Sequence, residues 1–143
     1  ALIIARFNDL VTLKLVEGCK DCLKRHGINP DPEGEQVDYV WVPGSFEVPN
    51  VARQLAMSGR YDAIVCLGAV IKGQTPHFDY VCKLVTDGVL QLNLSLDVPV
   101  IFGVLTVLNE QQLNERIGGK HGHKGKEAAI TAMKMIALNR KLR

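Results

Sequence analysis

The residues best suited to chemistry follow one apolar run. The stretch AIVCLGAVIKGQTPHFDY at 63–80 places Lys72, Gln74, Thr75 and His77 directly behind it. Residues 63–71 read as a strand buried on both faces, since such strands need not alternate apolar with polar. Lys72-Gly73-Gln74 ends that pattern. Thr75-Pro76 reads as a helix start, because a Thr oxygen accepts from free amides and Pro is tolerated at the first helical position. Free amides and the helix dipole favour an anion such as phosphate. A Thr hydroxyl can donate to the same anion. His77 then puts a titratable imidazole beside an anion site, the combination for proton transfer on a phosphorylated substrate. The bland alternative, a helix-start histidine bonded to the backbone, has equal weight from this residue alone.

Other apolar runs end the same way. Residues 2–5 lead to Arg6-Phe7-Asn8, residues 37–42 lead to Ser45-Phe46-Glu47, and Arg116 and Lys124 follow the run at 98–106. Strand ends of a parallel sheet share one edge, where open α/β sheets bind ligands. Phe7, between Arg and Asn in a loop, is better placed to stack on a planar ligand than to enter a core. Glu47 and Arg116 also have a plainer reading, as charges that suit helix dipoles.

The elements positioning these residues are read from periodicity. Leu15, Cys19, Cys22 and Leu23 recur at helical spacing within 11–26, and Gly27 follows as a stop. Helices are also expected at 49–58 and 76–93. Asn109 and Gln112 form a capping pair for a short helix before Gly118-Gly119. A last helix carries Ala129, Ala132, Met133 and Ile136 on one face. The segment 29–36 reads as a polar loop, and 120–125 as a basic, Gly-rich link. Strands alternating with helices predict a three-layer α/β/α sandwich around a four-stranded parallel sheet, one domain over 1–143.

Composition excludes other classes. The 143 residues, 47% hydrophobic and 22% charged, suit an ordinary globular domain. A net charge of +2 without interleaved aromatics argues against nucleic-acid binding. No apolar run is long enough for a membrane span. Cys19 and Cys22 form a C-x-x-C inside a helical pattern, which is not a redox-motif placement. The cysteines and the H-x-H at His121 and His123 make a poor metal site, so no metal is expected. Buried thiols in a reducing compartment are the better reading. Phosphate-binding glycine motifs of nucleotide enzymes are absent. Ala1 opens directly into a strand without a starting Met, so a trimmed N-terminus is expected. The location implied is the cytoplasm, or a plastid if a transit peptide has been removed.

Taken together, Arg6-Phe7-Asn8, the VPGSFEVP run at 42–49, the LGAVIKGQTPHFDY run at 67–80 and the GVLT run at 103–106 resemble the signatures of the lumazine synthase family. The similarity covers nearly the whole chain in order and spacing. It implies a flavodoxin-like strand order, with a further N-terminal strand expected ahead of the residues given. It implies condensation of 5-amino-6-(D-ribitylamino)uracil with 3,4-dihydroxy-2-butanone 4-phosphate in riboflavin biosynthesis, without a cofactor.

By resemblance, Phe7 stacks on the pyrimidine. Asn8, Ser45 and Glu47 help hold the ribityl chain, the backbone of Val70 and Ile71 meets the ring edge, and Phe46 and Lys72 also belong to the substrate-binding set. Gln74 and Thr75 hold the phosphate, with Arg116 as its cationic clamp and His77 moving protons. Phe102 and Lys124 come from an adjacent subunit, so a homopentamer is implied. Twelve pentamers closing into a sixty-subunit shell is the favoured assembly, and riboflavin synthase is the implied pathway partner. Three departures from the family pattern stand out: a long 29–36 loop, Lys72 where Arg is common, and His123 where Asn is common. The competing expectations are a non-catalytic flavin- or lumazine-binding member and a protein whose role is the shell itself.

Overall fold

A computed structural model describes residues 1–143. In chain order the elements are β1 (Leu2–Ala5), α1 (Asp9–Arg25), β2 (Tyr39–Val42), a 3-10 turn (Ser45–Glu47), α2 (Val48–Met57), β3 (Ile64–Ile71), α3 (His77–Ser95), β4 (Val100–Val107), α4 (Glu110–Glu115), β5 (Ile117–Gly119), β6 (Gly122–His123) and α5 (Lys124–Leu142). The main sheet has the order β2-β1-β3-β4 and is parallel throughout. This is the flavodoxin-like arrangement.

Alternate strand residues feed two cores, as the two-residue period of a strand requires. Leu2, Ile4, Val65, Leu67 and Leu105 face α1 and α5, where they meet Leu15, Cys19 and Ala129. Ile3, Ala5, Ile64, Cys66 and Val104 face α2 and α3, where they meet Ala52, Val85 and Val89. The central strands are therefore covered on both sides, which explains their unbroken apolar runs. Small residues set the closest approach. A methyl added to Gly103 would lie 2.6 Å from the Cys66 carbonyl oxygen and 3.1 Å from Ala128 Cβ, so α5 rides directly on the sheet there.

Three expectations need correction. Thr75 does not cap α3: Pro76 occupies the cap position without a side-chain bond, and Thr75 Oγ1 accepts only a long bond from the His77 amide at 3.4 Å. The expected strand at 98–106 shifts to begin at Val100, because the Asn93 amide brackets Val100 by donating to its carbonyl at 2.8 Å and accepting from its N–H at 2.9 Å. The link at 120–125 is not plain loop: β5 and β6 pair as a small antiparallel hairpin. The capping pair is present, with Asn109 Oδ1 accepting from the Gln112 amide at 2.9 Å.

Candidate active site

The sheet order reverses direction between β1 and β3, so the loops leaving their C-terminal ends part and open a crevice. A cavity of ≈ 650 Å³ occupies it, within the range of small-molecule sites. Phe7 forms one wall and the 3-10 turn a second, through Ser45, Phe46 and Glu47. The end of β3 supplies Ala69, Val70 and Ile71 as a floor. Gly73, Thr75 and His77 close the side at the start of α3.

Backbone bonds zip these loops together. The Arg6 and Phe7 amides donate to the Val42 and Pro43 carbonyls at 2.8 and 3.1 Å, which pins Phe7 beside the turn after β2. Asn8 adopts the left-handed conformation at φ 63°, ψ 53°, and is the chain's one non-glycine residue with positive φ. Asn tolerates that geometry better than most residues. It lets α1 start at once, leaving Phe7 at the mouth of the crevice. The Lys72 amide donates to the Val107 carbonyl at 2.9 Å and holds the end of β3 against β4.

The 3-10 turn rests on a glycine notch. Ser45 is 6% exposed, and a methyl on Gly68 would lie 2.7 Å from its hydroxyl oxygen. Only a residue without Cβ lets the turn sit this low over β3. Above it, Phe7 and Phe46 expose 68% and 48% of their surface. Two aromatic rings left in water at the mouth of a cavity form a platform for a flat ligand.

Sequence-predicted residues divide into two sets. Phe7, Ser45, Phe46, Glu47, Val70, Ile71, Thr75 and His77 line the crevice, while Asn8, Lys72 and Gln74 flank lining residues along the chain. Phe102, Arg116 and Lys124 do not line it. Phe102 lies partway along β4, the free edge strand, and is half-buried. Arg116 ends α4 and turns its guanidinium back onto the Gln112 carbonyl at 2.9 Å, with Glu115 at 3.8 Å. Lys124 opens α5, its amide donating to the Arg116 carbonyl at 2.9 Å. Sequence reading missed Phe78 and Val81 as lining residues, although their proximity to His77 at the start of one helix was a usable signal.

No thiol joins this chemistry. Burial pushes Cys19 and Cys66 up to about 12, so both stay protonated and inert. All four cysteines are free. No three His, Cys, Asp or Glu side chains gather where they could hold a metal ion, and no helix is long and apolar enough to cross a membrane. A larger cavity of ≈ 800 Å³ lies at the opposite edge of the sheet, around Leu2, Asp38 and Ala63, away from the loops that carry the candidate residues.

The family model for 6,7-dimethyl-8-ribityllumazine synthase matches residues 1–140. The 6,7-dimethyl-8-ribityllumazine synthase of Trichormus variabilis is 63% identical over 143 residues, which is 100% of this chain and 75% of the relative. Proteins of the same name from Synechococcus elongatus and Gloeobacter violaceus are 60% and 57% identical over the whole of this chain and cover 78% and 79% of their own lengths. With a family match from end to end and relatives this similar, the chain belongs to the 6,7-dimethyl-8-ribityllumazine synthases, transferases of riboflavin biosynthesis.

Proposed function

We propose that the crevice between β1 and β3 binds 5-amino-6-(D-ribitylamino)uracil and 3,4-dihydroxy-2-butanone 4-phosphate and joins them into 6,7-dimethyl-8-ribityllumazine. The observation that carries this reading is the convergence of exposed Phe7 and Phe46 with Thr75 and His77 around one cavity. Stacking on the aromatic rings orients the pyrimidine. The ribityl chain meets Ser45, Glu47 and Asn8. Gln74, Thr75 and the start of α3 receive the phosphate, and Arg116 clamps it with charge-assisted bonds.

The chemistry is mostly positioning and proton movement. The ring amine attacks the ketone, and the resulting carbinolamine loses water to give an imine. Removal of a proton from the adjacent carbon expels phosphate. The enol left behind takes up a proton at its terminal carbon to become a new ketone, and the ribityl-bearing nitrogen closes onto that carbonyl with loss of water. In this reading His77, in the first turn of α3, takes and returns these protons. No metal or organic cofactor is called for by any step.

Phe102, Arg116 and Lys124 lie outside the crevice of their own chain, which favours a site completed by a neighbouring protomer in a pentamer. Twelve pentamers closing into a shell extend the same reading. Light scattering that showed only pentamers at neutral pH in phosphate would count against the shell.

The test follows lumazine absorbance with each substrate varied in turn. His77→Ala should lower kcat by at least about tenfold and leave the native mass unchanged. Arg116→Ala should raise KM for the phosphate ester by on the order of a hundredfold. Binding of both substrates without turnover by the unaltered protein would contradict the proposal and favour a non-catalytic binder.

A further inference from the structure

His123 had no role in the sequence reading beyond a weak H-x-H, yet three contacts converge on it. Its Nδ1 accepts from the Gly125 and Lys126 amides at 3.1 and 3.4 Å, capping α5. Since amides only donate, this nitrogen is unprotonated and the ring proton sits on Nε2. Its backbone pairs with Ile117 in the β5–β6 hairpin. Its ring lies flat on Gly18 in the middle of α1, where an added methyl would fall among the ring atoms. Gly125 makes a second contact of this kind, packing against the Leu15 carbonyl one turn earlier on α1.

These contacts bracket one segment. Arg116 stands at its first residue and Lys124 at its last, and the Lys124 amide closes it by donating to the Arg116 carbonyl. The His121 amide ties the turn back to Glu115 at 2.8 Å. The segment is thus a small closed unit, and its seat on α1 is the His123 ring over Gly18 with Gly125 over Leu15.

We propose that His123 is a positioning residue for phosphate binding: it fixes the Arg116–Lys124 segment on α1, so that both cations reach the phosphate site with their backbones already ordered. This rests on the reading of Arg116 and Lys124 as phosphate-binding groups. Preordered cations lose less entropy on binding, and the benefit falls on the phosphate ester alone. His123 touches no substrate.

The test compares His123→Ala, which removes cap and ring, with His123→Asn, which keeps a good cap acceptor. Gly18→Ala displaces the ring without touching His123. KM for 3,4-dihydroxy-2-butanone 4-phosphate should rise about five- to tenfold in His123→Ala and Gly18→Ala, the size expected of a lost cap. KM for the ribitylaminouracil should change less than about twofold, and His123→Asn, which restores the cap but not the ring contact, should recover part of the phosphate-ester affinity. Amide exchange at Gly125 and Lys126 should quicken in His123→Ala and not in His123→Asn. An unchanged phosphate-ester KM in His123→Ala overturns the proposal, as does equal damage in His123→Ala and His123→Asn. Parallel increases in both KM values accompanied by a lowered melting temperature also overturn it, because they mark general destabilisation. Arg116→Ala is the separating control: if it leaves the phosphate-ester KM unchanged, the reading of Arg116 fails whatever His123 does.

Discussion

Phe7 keeps 68% of its surface in water beside a cavity, while Cys66, on a central strand, is wholly buried. The first arrangement costs the free protein hydrophobic stabilisation that a stacked ligand can recover. The second removes a reactive group from use. Burial raises the Cys66 and Cys19 thiols from an ordinary 9.0 to about 12, and Tyr39 from 10.0 to about 12. In the unfolded chain these groups ionise at their lower ordinary values, so the unfolded state loses protons first as pH rises. The stability these three groups contribute is therefore full below about pH 9 and falls progressively toward pH 12. Urea unfolding at a series of alkaline pH values should show this decline, and Cys66→Ala should make it shallower. An identical slope in the variant would contradict the assignment. Much of this chemistry was legible in sequence: a Phe flanked by Arg and Asn, and cysteines on an apolar helix face. The left-handed backbone of Asn8 was not, because nothing in a side-chain pattern reports a φ of 63°.

Helices and strands were legible wherever one period dominated. The apolar runs of β3 and β4 marked a sheet covered on both faces, and the spacing of Leu15, Cys19 and Cys22 marked α1. Element ends were less legible because tertiary bonds set them. Asn93 fixes where β4 begins, and Pro76 rather than Thr75 stands at the cap of α3. The 3-10 turn is the clearest case. Ser45-Phe46-Glu47 was legible as following the strand at 37–42, but the depth of this turn over β3 depends on Gly68, far along the chain, where a methyl would meet the Ser45 hydroxyl at 2.7 Å. Gly68→Ala should therefore lift the turn into the crevice and raise KM for the ribitylaminouracil about tenfold. Made together with Ser45→Ala, the same glycine change should cost clearly less than it does alone, since the closest atom it strikes is gone and only the Ala5 Cβ at 3.2 Å still crowds it. Additive losses in the double variant would show that the notch does not set the turn.

The whole chain presents a crevice with two exposed aromatic rings and the start of a helix at one place, and two cations and an edge-strand Phe at others. Periodicity and spacing cannot show that separation, since every strand-end residue appears equally available until the topology distributes them; only the family resemblance set Phe102 and Lys124 apart. Arg116 and Lys124 belong to a segment seated on α1, not to the β1–β3 crevice. The flavodoxin-like order explains the crevice, and the edge position of β4 leaves Phe102 open to a neighbour.

Subunit mixing decides whether a neighbouring protomer completes the site. His77→Ala and Arg116→Ala protomers, each at or below about a tenth of the unaltered rate when the phosphate ester is held near its unaltered KM, are co-expressed in equal amounts and the mixed assemblies assayed for lumazine formation under that condition. A site built from two protomers regains an intact His77 from one and an intact Arg116 from the other, so activity should return to about a quarter of the unaltered level. If the mixture stays as inactive as its parents, both residues serve the same chain and the shared site is wrong.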